Sequence, residues 1–474
     1  MSSLPARTRI APSPTGEYHI GHMRTCLYNY ALARQSGGQF IIRIEDTDQK
    51  RLVIGAQDRI LKVIKNYGLS WDEGPDIGGP YAPYVQTQRL DIYQKYIKKL
   101  LDQGLAYYCF CSQERLDHIR DQQKKLKQIP KYDRHCLKLT PQEIKQKIDS
   151  GQPYVIRMKM PDNETIRFTD SIRGQISFNT RDLDDQVLIK SNGIPTYHFA
   201  AVVDDILMKV THVLRGEEWI SSTPKQILLY KYLDAPLPQF VHLTVILDPR
   251  GGKMSKRSGS VAAQAFLDEG YLPEAMLNFL MLLGWNPGTD QELFTLEEFV
   301  KEFSLDRLHK KSPVFDRKKL DYFNGLYIRQ KSDEELFPYF KKFLPAANDE
   351  QIKILIPVLK ERLVKFGDLP QTLNFLFTDV DYDSELLLKK GTKPEIAIDM
   401  LEKTKTLFTD NFSDLQARLM NLIQANNWNV GEYFMVLRVA ICGSAFTPPI
   451  VEILPALGFD KTLHKLDVAL DKLK

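Results

Sequence analysis

Residues 8–48, TRIAPSPTGEYHIGHMRTCLYNYALARQSGGQFIIRIEDTD, constrain the fold most, because they place a strand, a turn, a helix and a second strand in one short unit. Arg9 and Ile10 end an extended run, and Pro12 and Pro14 break it, since proline fixes φ and disfavours helix in the residue before it. A helix begins only after Gly16, with His19-Ile20-Gly21-His22 at its start. There, unpaired backbone N–H groups and the positive end of the helix dipole meet two imidazoles on one face. Such a corner suits a nucleotide phosphate. The helical spacing of Leu27, Tyr30 and Ala33 stops at Gly37-Gly38. Phe40-Ile41-Ile42 is then an apolar run without alternation, as expected of a parallel strand covered on both faces. The unit reads as βαβ.

A chain of 474 residues exceeds what one core organises and divides into roughly three to five domains. Charged residues at 26% and apolar residues at 43% are those of a soluble, folded protein of mixed α/β class. The formal net charge of +4 is small for this length, so an anionic partner is held by local patches and not by the field of the whole molecule. No apolar run reaches membrane-spanning length, and the amino terminus lacks the apolar core of a signal peptide, which makes the cytoplasm the expected compartment. Five scattered cysteines do not make a disulfide framework; reduced thiols, free or metal-bound, are expected.

Farther along, residues 57–67 and 84–104 carry helical spacing. An insertion-like region follows, with Cys109-Phe110-Cys111, a basic helical stretch over 115–131, and Tyr132-Asp133-Arg134-His135-Cys136. Strands are expected at 154–158 and 186–189, a helix from Tyr197, and a return to the parallel sheet at 211–214. A further strand over 240–247 ends in the turn sequence Asp248-Pro249-Arg250-Gly251-Gly252. Directly after it, Lys253-Met254-Ser255-Lys256-Arg257 is either a solvated basic turn or a loop that aims ammonium groups at phosphates as compact point charges. From Pro273 onward the periodic stretches, among them 352–366, 394–408, 413–426 and 431–441, are helical, so an all-α half is expected there.

Taken together, His19-Ile20-Gly21-His22 and Lys253-Met254-Ser255-Lys256-Arg257 resemble the paired motifs of class I aminoacyl-tRNA synthetases. Arg43-Ile44-Glu45-Asp46-Thr47-Asp48 and Leu214-Arg215-Gly216-Glu217-Glu218-Trp219 resemble the glutamyl branch of that class, and Arg438-Val439-Ala440 its carboxy-terminal, anticodon-reading helices. The resemblance covers nearly the whole chain. It implies an α/β fold in which a split Rossmann catalytic domain (1–104 and 196–250) holds an inserted α+β acceptor-stem-binding domain (105–195). A lysine loop with a stem-contact domain (251–330) and two helical anticodon-binding domains (331–390 and 391–474) complete an all-α carboxy-terminal half. The implied activity is ATP-dependent ligation of L-glutamate to tRNA(Glu) through an adenylate, with Mg2+ accompanying ATP and the enzyme acting as a monomer.

By the same resemblance His19, His22, Lys253 and Lys256 are the catalytic positions, Lys256 carrying the matched lysine, and Thr15, Gly21 and Ser255 join them around ATP. The chemistry agrees: a carboxylate is already ionised at neutral pH, so its attack on the α-phosphate needs no general base, only donors where charge accumulates on phosphoryl oxygens. Glutamate presents two carboxylates and an ammonium, which call for guanidinium forks and an acid. Arg9 and Arg215 are the candidate forks and Glu45 the acid, with Ser13 and Tyr197 as hydroxyl donors. Cys109, Cys111 and Cys136 resemble the zinc-binding insertion of bacterial glutamyl enzymes, in which a fourth ligand follows the third cysteine by two positions. That position here is Lys138, whose ammonium cannot ligate, so a structural Zn2+ needs His135 or Tyr132 in its place, or the site has been lost; His135 is the ligand expected. Glutaminyl enzymes usually end in β-barrels, against which the helical tail argues, and Gly16 to Gly21 lacks the glycine spacing of a dinucleotide fingerprint.

Overall fold

The computed structural model describes residues 5–254, 261–408 and 412–474. They fall into two compact units, 1–265 with 277–316, and 266–276 with 317–474.

The first unit opens on the expected βαβ element. β1 (Arg7–Ile10) and β2 (Gln39–Ile42) pair in parallel, Arg7 opposite Gln39 and Ile10 opposite Ile42, and α1 (Ile20–Gln35) crosses between them. Phe40, Ile41 and Ile42 are fully buried, as the missing alternation requires. α1 ends where Gly37 turns to φ +67° and Gly38 N–H donates to the Ala33 carbonyl at 2.8 Å, a Schellman closure. Gly38 has a second reason to be glycine: a Cβ there would lie 1.9 Å from the Ala6 carbonyl oxygen, so a side chain would push β1 off its partner.

α2 (Ala56–Asn66) and α3 (Leu90–Asp102) follow, each burying an apolar face, Tyr93, Ile97 and Leu100 in the case of α3. The chain continues through β3 (Ala106–Cys109), α4 (Gln113–Lys125), α5 (Pro141–Asp149), β4 (Val155–Met158), β5 (Thr165–Asp170), β6 (Gly174–Asn179) and β7 (Val187–Ile189). α4 is shorter than the helical reading of 115–131, because Lys127 takes a left-handed φ of 56°. Then come α6 (Tyr197–Leu207), β8 (His212–Gly216), α7 (Thr223–Tyr232) and β9 (Gln239–Leu243).

β3, β4 and β7 make an antiparallel sheet in the order β3-β4-β7, the expected inserted element. The β5–β6 hairpin, which was not among the expected strands, belongs elsewhere. Asp170 pairs in parallel with Phe240, so the second sheet runs β6-β5-β9-β8. Part of the stretch assigned to the insertion thus extends the parallel sheet. β8 and β9 pair in parallel, Arg215 opposite His242, and Thr211 N–H donates to the Arg7 carbonyl at 3.0 Å, which sets β8 beside β1. β9 ends at Leu243, earlier than the expected 247; beyond it Met254 N–H returns to the Ile246 carbonyl at 3.0 Å around a turn with Gly251 and Gly252 at φ +98° and +78°. Ser255, Lys256 and Arg257 lie outside the described residues.

The second unit contains no strand among its described residues. Its helices include Arg317–Gln330, Asp333–Phe343, Asp349–Lys360, Pro394–Leu407, Leu415–Ala425, Val430–Cys442 and Phe459–Leu473; the helix expected over 352–366 ends at Lys360. One apolar cluster, from Leu272 to Leu470, fills this unit and lies on both sides of the expected boundary at 390/391. No helix among the described residues is long and apolar enough to cross a membrane.

Candidate active site

The helix start at His19 is built as its sequence demands. His19 is the N-cap of α1, with φ −74° and ψ 147°, and its Nδ1 accepts from Gly21 N–H at 2.9 Å, so the ring proton sits on Nε2. Ile20 N–H donates to the Val261 carbonyl and Ala263 N–H to the Tyr18 carbonyl, both at 2.8 Å, which ties this corner to the chain that follows the lysine loop. The rings of His19 and His22 lie 6.2 Å apart. Loss of solvent, then the charges of His22 and Lys253, lower His19 to about 4. Desolvation by the surrounding walls lowers His22 as well, with Glu218 pulling the other way. Both imidazoles are therefore neutral donors at neutral pH. They line a cavity of about 260 Å³ together with Gly21, Val245 and Lys253. In its wall the buried Arg24 guanidinium donates to the Thr244 carbonyl and, at 2.9 Å, to the Leu283 carbonyl, which anchors α1 against the segment after β9.

A second cavity, of about 550 Å³, adjoins the first and shares His22, Thr25, Gly216 and Glu218 with it. It gathers Arg9, Ser13, Glu45, Tyr197 and Arg215, five residues from separate parts of the sequence, where the parallel strands end at their carboxyl side. Thr15, expected around ATP, lines this second cavity instead, whereas Gly21, His22 and Lys253 line the first. Arg9 is buried and holds Asp205 through Nε at 3.1 Å and Nη2 at 3.3 Å. Arg43, wholly buried, bridges Asp205 at 2.7 Å and Glu45 at 2.9 Å. Burial raises the Glu45 carboxyl to about 7, against the pull of Arg43 and Arg9. Arg215 donates from Nε to His242 Nε2 at 3.1 Å and from Nη2 to Thr223 Oγ1 at 2.9 Å. The Tyr197 ring, at the first position of α6, packs 4.4 Å from that of Trp219. The sequence reading missed Asp205, His242 and Asp170. The one local signal was the pair Asp204-Asp205 in an otherwise apolar helix, both buried.

Away from these cavities the sulfurs of Cys109, Cys111 and Cys136 lie within 4.8 Å of one another. His135 is not brought to them: it is exposed, and its backbone N–H is turned to Asp133 at 3.3 Å. Tyr132 takes that place, with its hydroxyl 3.3 Å from Cys111 Sγ and accepting from Cys136 N–H at 2.9 Å. The reason is steric and electronic, since the buried Tyr132 ring is pinned under the Arg157 guanidinium at 4.2 Å. The hydrogen bond between Cys109 and Cys136 lowers the Cys109 thiol and raises that of Cys136, and Arg115 donates to Cys111 Sγ at 3.4 Å. Three converging sulfurs and a phenol oxygen, with cations nearby to favour thiolate, are a donor set that fits Zn2+.

The family of catalytic domains described as tRNA synthetases class I (E and Q) matches residues 5–322, and the anticodon binding domain matches 334–470. The chain is 44% identical to the glutamate–tRNA ligase of Clostridioides difficile (strain 630), over 97% of this chain and 98% of that protein. It is 41% identical to that of Clostridium acetobutylicum, over 100% of both. The crystal structure of a glutamate tRNA ligase from Elizabethkingia meningosepticum in complex with its amino acid matches with a TM-score of 0.88 at 37% identity, covering 99% of this chain and 100% of that one. From the His19 corner to the terminal helices, the chain belongs to the glutamate–tRNA ligases of the class I aminoacyl-tRNA synthetases.

Proposed function

We propose that this chain ligates L-glutamate to tRNA(Glu) in two steps, using ATP taken as its Mg2+ complex. In the first, an oxygen of the glutamate α-carboxylate bonds to the α-phosphorus as the bond to the bridging oxygen breaks and pyrophosphate leaves. In the second, a hydroxyl of the terminal ribose of the tRNA bonds to the acyl carbon and AMP leaves. The observation that carries this reading is the pair of adjoining cavities, one with neutral imidazole donors and Lys253, the other with Arg9, Glu45 and Arg215. His19 and His22 offer N–H groups where phosphoryl oxygens gain charge, and Lys253 and Lys256 bring positive charge over them.

The glutamate pocket divides its labour by charge. Arg9 and Arg43 share Asp205, and Arg43 also meets Glu45, so each of these guanidiniums has an acid in direct contact. Arg215 differs, because its hydrogen-bond partners His242 and Thr223 are neutral, and its positive charge is left for the side-chain carboxylate of glutamate. In this reading the enzyme is a cytoplasmic monomer. Charging purified tRNA pools with labelled glutamate or glutamine tests it: glutamate is expected on tRNA(Glu), and a preference for glutamine, or no charging, overturns it.

Glu45 would hold the substrate ammonium, which requires the carboxylate. With a carboxyl at about 7, a proton competes with glutamate below neutrality and is absent above it. The KM for glutamate is therefore expected to rise about tenfold from pH 8 to pH 6. Because His19 is lowered to about 4, below this window, and burial lowers His22 as well, kcat should change less. A KM that is flat across that range removes Glu45 from the ammonium site.

A structural zinc ion would sit on Cys109, Cys111, Cys136 and Tyr132, where it would cross-link the end of β3 to the short turn at His135–Lys138. Protein purified under reducing conditions is expected to carry one zinc by elemental analysis. Cys109→Ser with Cys111→Ser should remove it, Tyr132→Phe should weaken its retention against a chelator, and His135→Ala should not. Zinc-free wild type overturns the site.

A further inference from the structure

Behind the glutamate pocket lies a buried polar chain that the reaction as described does not use. His242 sits on β9 with no exposed surface, directly opposite Arg215 of β8 in the parallel register. Its Nε2 lies 3.1 Å from Arg215 Nε, and its Nδ1 lies 2.8 Å from Asp170 Oδ2 at the end of β5. A guanidinium nitrogen only donates, so His242 Nε2 must be the acceptor and the ring proton must be on Nδ1, facing Asp170. Asp170 is itself fixed, since Oδ1 accepts from Ile172 and Arg173 N–H at 3.1 and 3.0 Å, and Oδ2 from His242 N–H at 3.0 Å. Thr223 closes the other side, accepting from Arg215 Nη2 at 2.9 Å while donating to the Trp219 carbonyl at 2.9 Å.

We propose that His242, oriented by Asp170, is a positioning residue that aims Arg215 at the substrate's side-chain carboxylate and thereby serves the choice of glutamate over glutamine. The inference rests on the role given to Arg215 above. The chemical logic lies in the contrast with Arg9, whose partner Asp205 is an acid in direct contact. An acid placed directly on Arg215 would fix the guanidinium equally well, but would also neutralise it and compete with the substrate. An imidazole in the acceptor tautomer fixes the direction of the guanidinium and leaves its charge available. The carboxylate that sets the tautomer is held one ring farther away, where it attracts the substrate's cation site less and repels its carboxylate less.

The surroundings keep the ring in that state. Arg215 faces it from β8, Arg173 donates to its backbone carbonyl and pairs with Glu217, and Asp170 faces it from β5. The Phe240 ring stacks on it at 6.2 Å and the Phe168 ring meets it edge-on at 6.4 Å. Burial, with the positive charges of Arg215 and Arg173, holds the imidazole in its neutral form against the pull of Asp170. A second ring proton would set N–H against N–H at Arg215.

Two polar replacements separate positioning from mere support. His242→Gln reaches far enough for its amide oxygen to accept from Arg215, whereas His242→Asn keeps a donor for Asp170 and stops short of Arg215. Aminoacylation at saturating tRNA is measured for both amino acids, with melting temperature and the KM for ATP as controls. His242→Asn is expected to raise the KM for glutamate about ten- to a hundredfold, the loss of one hydrogen bond to a charged group. It should leave the KM for glutamine and for ATP within about twofold, and His242→Gln should recover most of the loss. Equal behaviour of the two variants, or a loss spread evenly over glutamate, glutamine and ATP, overturns the proposal. Arg215→Gln is run beside them. If it destroys the glutamate preference while His242→Asn preserves it, only the positioning role falls. If Arg215→Gln leaves the preference intact, the reading of Arg215 falls and takes the positioning role with it.

Discussion

Arg215→Gln is expected to lower kcat/KM for glutamate by about a hundred- to a several-thousandfold, the range set by stranding one partner of a buried ion pair at about 3–5 kcal/mol. The variant keeps a polar side chain but loses the one component that an amide cannot supply, a full positive charge in a largely buried pocket wall. Arg215 is only 7% exposed, so an unpaired carboxylate set against it is poorly screened. Glutamine carries no such charge and loses far less, so the ratio of the two specificity constants shifts toward glutamine by nearly the whole effect. In the proposed reading ATP takes the neighbouring cavity, lined by Lys253 and not by Arg215, and its KM is expected to stay within about twofold. Steady-state aminoacylation with each amino acid measures all three quantities. A glutamate-to-glutamine ratio unchanged from wild type would show that another group reads the side chain.

An effect of comparable size belongs to the other cavity. Lys256→Ala is expected to slow adenylate formation about a hundred- to a thousandfold, corresponding to about 2.7–4 kcal/mol for one donor aimed at developing charge. The rings of His19 and His22 are both neutral and contribute only dipoles, so in the proposed reading the lysine loop adds formal positive charge over the phosphates. Lys253 already acts electrostatically on both imidazoles, and Lys256 follows it in the same short stretch. Single-turnover formation of glutamyl-adenylate at saturating substrates isolates the step, with tRNA binding and melting temperature expected to be unaltered. A fall of less than about threefold would remove Lys256 from the chemistry.

What the sequence made legible was whatever is encoded within a few residues. The prolines before His19, the Schellman glycines after α1, the unbroken apolar run of β2 and the turn at Gly251-Gly252 each declare themselves locally, and each was found where it was expected. The ends of elements were less secure: β9 stops at Leu243 and α4 at Lys125, because tertiary partners and not local pattern decide where a strand or helix gives way. β5 alternates cleanly, with Ile166, Phe168 and Asp170 inward, yet nothing local says that it pairs with β9 and not with its neighbour β4. The polar groups behind the pocket were hidden for the same reason. Asp170 and His242 are 72 positions apart, and Arg9 and Asp205 are 196 apart; only the folded chain turns them into pairs. His135 shows the converse error, in which proximity to Cys136 in sequence suggested a ligand that the backbone turns outward.

His19 spends its Nδ1 lone pair on Gly21 N–H, so the same ring that presents Nε2–H to the cavity also holds the first turn of α1 together. One proton therefore governs two things at once. Acid that reaches Nδ1 converts the cap from acceptor to donor, facing another donor, at the moment it turns the ring into a cation. Since the ring is lowered from 6.5 to about 4, the stabilisation it gives is complete above 6.5 and is lost as pH falls toward 4. Below that range the loosening of the first turn of α1 and the loss of a neutral imidazole donor in the cavity are thus a single titration.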